Sequence, residues 1–134
     1  MSLVVDSSVA VKWVVAEDGR QSALELPDVA ALLAPDFVLV ESANVMWKKV
    51  RRGQMTAEQM ADGLMFIRDA FQTLVPQAEL VNRAAQLAVA FDHPVYDCLY
   101  LACAESRNAE LLTADKALAT KFSGHKIKLL EASR

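Results

Sequence analysis

Short apolar runs of strand length alternate along this chain with longer segments whose apolar positions recur at helical spacing. The apolar runs cover residues 3–5, 37–40, 74–75, 111–113 and 127–130. The helical segments cover residues 7–13, 21–33, 41–52, 56–71, 80–91, 96–106 and 115–122. Strands that alternate with helices are typical of βαβ units, which build a parallel sheet. We therefore predict an α/β fold in a single domain, residues 1–134, with a central parallel sheet of about five short strands flanked by helices.

Individual residues indicate where some of these helices begin, break or are buried. Thr56 and Gln59 have the spacing of a capping box, which predicts a helix start. Pro27 lies inside the segment 21–33 and indicates a break in that helix. The segment 96–106 is apolar nearly all round, which predicts a buried helix.

The composition is typical of a globular protein and excludes other classes. Of the 134 residues, 54% are hydrophobic, which excludes a disordered tail or linker. No apolar run reaches the ~18 residues of a membrane span, and the first residues lack the basic flank of a signal peptide. A formal net charge of −3 argues against a protein that coats nucleic acid through its overall charge. It does not exclude a local basic patch. Cys98 and Cys103 would lie on different faces of one helix, so they cannot bridge within it, which favours a reduced, cytoplasmic protein.

Three acidic residues lie just beyond predicted strands. Asp6 and Glu41 directly follow the first two apolar runs, and Asp115 lies two residues after the fourth. Ligands of open α/β sheets bind beyond the carboxyl ends of the strands, so we expect these carboxylates to meet at one edge. The alternative is that each is a helix N-cap or a first-turn acid, which is common at strand-to-helix junctions.

Asp97 lies in the most apolar helical segment of the chain. A buried carboxylate without a partner is costly, so it must be neutral, paired with a cation or bound to a metal. We expect Asp97 to point towards the same edge of the sheet as the other three acids. The alternative is an N-cap just after Pro94, because proline suits helix starts.

Converging carboxylates without a counter-charge repel one another, so at least one pKa should rise. A divalent cation would remove that repulsion. Carboxylate oxygens suit Mg²⁺ or Mn²⁺, whereas the sequence has no Cys/His cluster of the kind that binds zinc. Such a site can activate water and stabilise the charge of a phosphodiester displacement. His93 and His125 are the only histidines, and neither lies near a plausible nucleophile, which disfavours a hydrolase triad.

Four segments in fixed order carry these acids: DSSVAVKW at 6–13, PD at 35–36 with ESAN at 41–44, HPVYDCLYLA at 93–102, and LTADK at 112–116. Together they resemble the motifs of PIN-domain ribonucleases, specifically the VapC-type toxins of toxin–antitoxin pairs. The resemblance spans nearly the whole chain. It implies an α/β sandwich around a parallel sheet and an endonuclease that cleaves RNA with Mg²⁺ or Mn²⁺ held in an acidic pocket.

Carried over by position, the resemblance assigns a role to each acid. Asp6 and Asp97 would be the principal metal ligands. Glu41 would complete the site directly or through a metal-bound water, and Asp115 would be the fourth acid. No acidic position departs from the pattern, so nothing indicates an inactive copy.

Neighbouring polar residues receive supporting roles. The resemblance implies that Ser7 and Thr113 hydrogen-bond the carboxylates or metal-bound waters, although a plain turn or cap suits Ser7 equally well. Asn44 lies one helical turn after Glu41 and would steady it, or would simply be solvated.

The resemblance also implies partners besides RNA. VapC-type toxins are held by a VapB-type antitoxin whose C-terminal tail wraps the toxin, and they commonly form homodimers. The methionine-containing segment 55–67 is a candidate groove for such a partner, with ordinary core packing as the alternative.

Cations near the motif acids and at the end of the helix 41–52 are candidate contacts for RNA phosphates: Lys12, Lys48, Arg51 and Lys116. The alternative for the cluster at 48–52 is that cations are favoured at a helix C-terminus. Trp13 and Trp47 could stack on bases, but a tryptophan at a helical position more often belongs to a core or an interface.

Two other functions compete with a nuclease. The first is a PIN-fold binding module that keeps the acids without turnover. The second is a receiver-like phosphoacceptor domain, which would also use carboxylates at strand ends with Mg²⁺. The receiver is disfavoured because Asp6 is followed by two serines rather than an acid, and because Pro76-Gln77 offers no phosphoacceptor after the third strand.

Overall fold

A five-stranded parallel sheet forms the centre of the computed structural model, which describes residues 1–131. Its order is β3-β2-β1-β4-β5, and each neighbouring pair is parallel. The carboxyl ends of all the strands therefore lie at one edge, and the predicted α/β class is confirmed. The strands are β1 (Ser2–Val5), β2 (Ala31–Pro35), β3 (Thr73–Val75), β4 (Glu110–Thr113) and β5 (Ile127–Leu129).

Helices connect the strands. They are α1 (Ser7–Ala10), α2 (Arg20–Leu24), α3 (Leu26–Val29), α4 (Phe37–Arg51), α5 (Ala57–Ala70), α6 (Val81–Phe91), α7 (Val95–Arg107) and α8 (Lys116–Lys121), with 3₁₀ turns at Val11–Trp13 and Gln77–Glu79. In the described residues, no helix has the length and apolar character needed to cross a membrane.

Helix α7 is the inner helix of the molecule. It packs against β1, β2 and β4 as well as against α6. Its residues 98–104 are all buried, which confirms the burial predicted for this segment. Cys98 and Cys103 lie within this stretch, and both thiols are free. The helix therefore holds its first turn, which contains Asp97, fixed relative to the sheet.

The predicted strand at residues 37–40 is wrong. These residues form the first turn of α4, in which Val38 is fully buried and Val40 is exposed. The strand is the preceding segment, β2, which pairs with β1 on one side and β3 on the other. Pairing on both sides outweighs the helical preference of its alanines and leucines, and sequence periodicity does not report such pairing.

The predicted helix at residues 21–33 is also wrong in its second half. The chain forms two short helices, α2 and α3, and then enters β2 at Ala31. Pro27 lies in the first turn of α3, where its missing N–H costs nothing. The capping box of Thr56 and Gln59 is confirmed, with both reciprocal hydrogen bonds formed at the start of α5.

Candidate active site

Asp6 lies at the carboxyl end of β1, in a hydrogen-bond network that joins β1 to β4. The residue is only 5% exposed. Its Oδ1 accepts hydrogen bonds from the Ser8 hydroxyl at 2.5 Å and from the Val9 backbone N–H at 3.3 Å. Its Oδ2 accepts from the Thr113 hydroxyl at 2.5 Å, and the Ala114 backbone N–H donates to Ser8 Oγ at 2.9 Å. Two hydroxyls thus fix both carboxylate oxygens.

Burial raises the pKa of Asp6 from its ordinary value of 3.8 to about 6. The hydrogen bonds from Ser8, Thr113 and Val9 lower that pKa in part, and the charge of Asp97 raises it further. The sequence predicted a raised pKa among the acids, and the structure shows one. Its main cause is loss of hydration around a buried carboxylate, with repulsion between acids a smaller contribution.

Glu41 reaches the site from the second turn of α4. Its Oε1 accepts a hydrogen bond of 2.5 Å from the Tyr100 hydroxyl, and the Ser7 hydroxyl also hydrogen-bonds its carboxylate. Partial burial raises the pKa of Glu41, and the charge of Asp97 raises it further. Tyr100 is almost fully buried, and burial raises its own pKa. The phenol therefore stays protonated and remains a donor to Glu41.

Asp97 is not the buried carboxylate that the sequence analysis expected. It lies in the first turn of α7, where its side chain is 37% exposed, and the burial belongs to the residues that follow it. It is not the N-cap either, since that position is Pro94. Its Oδ2 lies 2.7 Å from His93 Nε2. Its charge raises the pKa of both Asp6 and Glu41, so the three carboxylates are close enough to influence one another.

Asp115 follows β4 and lies at the start of α8. It is exposed, and its Oδ1 accepts from the Leu118 backbone N–H at 3.1 Å, so it caps α8. Its own backbone N–H donates to Thr113 Oγ1 at 3.1 Å, which links it to the network around Asp6. The N-cap role left open by the sequence is therefore present at Asp115, and it is present at Asp6 as well, which caps α1 through the Val9 N–H. Its charge is not among the causes that shift the pKa of Asp6 or Glu41.

The donor atoms fit a divalent cation by their chemistry. Within residues 1–131, no three Asp, Glu, His or Cys side chains are gathered closely enough to form a ready-made metal centre. Asp6, Glu41 and Asp97 nevertheless supply only carboxylate oxygens, which suit Mg²⁺ and Mn²⁺. In the same part of the chain, neither Asp6 nor Glu41 forms an ion pair with lysine or arginine. A cation would offset both the burial and the mutual repulsion that raise their pKa values.

In residues 1–131, the other residues singled out by the sequence make no hydrogen bond to Asp6, Glu41 or Asp97. Asn44 is exposed, with no hydrogen bond to Glu41 in the described structure. The Lys12 ammonium donates to Glu17 and to the backbone carbonyl of Asp18. The remaining candidate cations are exposed on α4 and α8: Lys48, Arg51 and Lys116.

Sequence reasoning missed three residues that contact the acids: Ser8, Tyr100 and His93. Tyr100 lies three residues after Asp97, and His93 lies four residues before it. Helical spacing could have placed Tyr100 on the face of Asp97. Sequence alone does not distinguish Ser8 from Ser7, because the difference depends on where α1 begins.

Comparison with known proteins is consistent with this geometry. Residues 3–121 match the family model of the PIN domain. Ribonuclease VapC3 of Pyrobaculum aerophilum is 34% identical over 125 residues, covering 91% of this chain and 95% of that protein. The chain belongs to the PIN domain family, among proteins of the VapC type. The resemblance seen in its four motifs is thereby confirmed.

Solved structures show the same fold. One is the structure of VapBC2 from Rickettsia felis bound to a DNA fragment from the promoter of these proteins. It aligns with a TM-score of 0.73 at 16% sequence identity, and the alignment covers 98% of this chain and 100% of that chain. Mycobacterium tuberculosis VapC20, a sarcin-ricin loop cleaving toxin, aligns with a TM-score of 0.66 at 20% identity, over 92% and 95%. At such identities the likeness concerns the fold alone.

Proposed function

We propose that this VapC-type PIN protein is a metal-dependent endoribonuclease and the toxin of a VapBC-type toxin–antitoxin pair. It would hydrolyse RNA phosphodiester bonds with Mg²⁺ or Mn²⁺ bound by carboxylates. The observation that carries the proposal is the buried carboxylate of Asp6 at the end of β1, with Glu41 of α4 and Asp97 of α7 near enough for the charge of Asp97 to raise the pKa of both other acids. The 34% identity to a protein named a ribonuclease supports the same activity.

Asp6 and Asp97 are the proposed principal ligands, with Glu41 acting directly or through water and Asp115 as the fourth acid. When bound, the cation would supply an activated water and stabilise charge on the phosphate. Ser8 and Thr113 hold the two oxygens of Asp6 in place. An ionised carboxylate has about four lone-pair sites. Because Oδ1 accepts from both Ser8 and the Val9 N–H, the site that stays free lies on Oδ2, which accepts only from Thr113.

Two donors hold Glu41 in the corresponding way. The Tyr100 hydroxyl and the Ser7 hydroxyl both lower its pKa, and so favour the charged form that binds a cation. The proposed contacts to RNA phosphates are Lys48, Arg51 and Lys116, whereas Lys12 could serve only after releasing Glu17 and Asp18. Asn44 remains a proposed support for Glu41, one helical turn further along α4, with a solvated side chain as the alternative.

The proposed partners are the RNA substrate, a VapB-type antitoxin and a second copy of the chain. The structural match to VapBC2 supports the antitoxin. Val81 and Val89 are exposed on α6 and would be available to a second copy of the chain. We propose that the protein acts in the cytoplasm, where its RNA targets are.

Cleavage of a labelled structured RNA tests the nuclease. We expect wild-type protein to cleave with Mg²⁺ or Mn²⁺ and to stop in EDTA. Asp97→Asn keeps the side-chain shape but removes the charge, and should lower the rate by about a hundredfold or more. Asp69→Asn is the matched control, because it removes the same charge from an exposed position on α5.

Each other outcome has a distinct meaning. If wild type and Asp97→Asn cleave equally, the activity comes from a contaminant and the proposed site is wrong. If the protein binds RNA but cleaves none in any metal, the PIN-fold binding module replaces the nuclease.

Tyr100→Phe tests how Glu41 is held. Removing the hydroxyl deletes a bond that lowers the pKa of Glu41, so the pKa should rise further. We expect the acidic limb of the pH–rate profile to move to higher pH, with a loss of stability of about 1 kcal/mol. The measurement is the cleavage rate from pH 5 to pH 9 in Mn²⁺. An unchanged profile would show that Glu41 does not act in its charged form.

A further inference from the structure

The C-terminal half of α4 carries an exposed tryptophan surrounded by cations. Trp47 is 46% exposed, and the Arg51 guanidinium lies 5.0 Å from the centre of its ring. Together with Lys48 and Arg52, these side chains line a shallow cleft of about 300 Å³. We name this set of four residues the Trp47 surface.

The positive charge of the Trp47 surface is not neutralised within the protein. In residues 1–131, none of its three cations forms an ion pair with a carboxylate. The whole chain carries a net charge of −3, so this concentration of cations is a local feature. Cations at a helix C-terminus interact favourably with the helix dipole. That interaction does not explain why an exposed indole lies beneath one of these cations.

The same helix connects the Trp47 surface to the candidate active site. Lys48 and Arg52 follow Glu41 by seven and eleven residues, which places them on the helix face of Glu41. At 1.5 Å per residue they lie about 10 and 16 Å further along the axis. A polyanion that reached Glu41 along α4 would therefore pass these cations.

We propose that the Trp47 surface binds a single-stranded segment of RNA next to the bond to be cleaved. Lysine and arginine contact phosphates, while an exposed indole stacks on an unpaired base. Arg51 can stack on Trp47 and still donate from its edge to a phosphate. A base within a duplex is already stacked, and the deep groove of A-form RNA is closed to side chains, so the chemistry selects a single strand.

This inference rests on the proposed function, because the segment bound is part of the substrate of that same site. An acidic protein segment is the competing occupant. It would satisfy the three cations, but it offers no base to cover the indole.

Tryptophan fluorescence reports on the surface directly. Trp13 is 2% exposed, and its indole N–H donates to the Ala23 carbonyl at 2.7 Å, so only Trp47 is open to quenching. In EDTA, where cleavage cannot occur, we expect a short unstructured RNA to quench the fluorescence. The same sequence in a duplex and a polyglutamate peptide should quench it much less.

Variants then measure the contribution of each part, using the anisotropy of labelled RNA in EDTA. Trp47→Ala should weaken single-strand binding by about tenfold or more, and Trp47→Phe should retain most of it. Arg51→Gln should weaken binding and lower the salt slope by about one. Arg68→Gln is the matched control, since it removes an exposed cation from the last turn of α5. Circular dichroism shows that each variant is folded.

The outcomes separate this inference from the nuclease itself. In the cleavage assay, Trp47→Ala should raise KM more than it lowers kcat. If Trp47→Ala binds and cleaves RNA as wild type does, the Trp47 surface is not an RNA site, while the nuclease stands. If RNA quenches Trp47 but no metal supports cleavage, the surface stands and the nuclease fails. Equal quenching by duplex RNA or by polyglutamate would overturn the assignment to a single strand.

Discussion

Asp6→Asn should make the protein more stable at pH 8 while removing its nuclease activity. The fold raises the pKa of this carboxylate from 3.8 to about 6, chiefly through burial. At pH 8 the Asp6 carboxylate is charged in both the folded and the unfolded state, but only the folded state has that charge buried and is destabilised by it. That difference corresponds to about 3 kcal/mol. Because an amide cannot accept from both Ser8 and Thr113 as the carboxylate does, we expect a net gain of about 1–3 kcal/mol.

The sign of this effect fixes its pH window. Between pH 3.8 and 6 the folded protein holds a proton on Asp6 more tightly than the unfolded chain does. The free energy of unfolding of wild type therefore falls as the pH rises through that range. The penalty is complete above pH 6 and absent below pH 3.8, so the advantage of Asp6→Asn should shrink as the pH falls.

Urea unfolding in EDTA at pH 8 and pH 4 measures this difference without bound metal. Asp69→Asn serves again as control, because an exposed carboxylate should give no comparable gain. Added Mg²⁺ should stabilise wild type but not Asp6→Asn, and the variant should cleave RNA about a hundredfold more slowly or worse. If wild type were as stable as Asp6→Asn at pH 8, the charge on Asp6 would carry no cost in the fold.

Local pattern was sufficient to place Asp6 after β1 and Asp115 after β4, and insufficient to place Glu41. The strands that precede Asp6 and Asp115 are β1 and β4, which are short apolar runs that end in turn-forming residues. The sequence therefore shows where their carboxyl ends lie. Glu41 was predicted as the end of a strand at 37–40, yet it lies inside α4. The identity of β2 depends on simultaneous pairing with β1 and β3, which are distant in sequence.

The hydrogen bonds that hold the acids were still less predictable. Ser8 contacts Asp6 only because α1 begins directly after Asp6. Thr113 contacts Asp6 only because β4 is adjacent to β1 in the sheet. Tyr100 looks like an ordinary core residue in an apolar helix, and its hydroxyl acquires a role because the fold brings Glu41 of α4 within hydrogen-bond distance of it. Residue types at strand ends therefore predict which chemistry is present, while the tertiary packing decides which partner tunes each group.

The support behind Asp97 is an aromatic cluster at the end of α8. Phe122 is fully buried and packs against three rings, those of Phe91, His93 and His125, at centroid distances of 5.0–5.7 Å. Its contact with His93 is edge-on, and the other side of His93 faces Asp97 at 2.7 Å. The cluster thus connects the end of α8 and the segment before β5 to α6 and, through His93, to Asp97 of α7.

We expect Phe122→Ala to lower the free energy of unfolding by about 3–5 kcal/mol, because the ring leaves a cavity that its rigid neighbours cannot fill. That is a large part of the 5–15 kcal/mol of stability typical of a domain. Phe66→Ala removes the same atoms from a position 49% exposed on α5 and should cost far less. Urea unfolding of both variants at one pH measures the difference. Equal losses would show that the cluster does not hold the C-terminal elements in place. A loss confined to Phe122→Ala would show that packing at Phe122, outside the four sequence motifs that carry the acids, stabilises the fold.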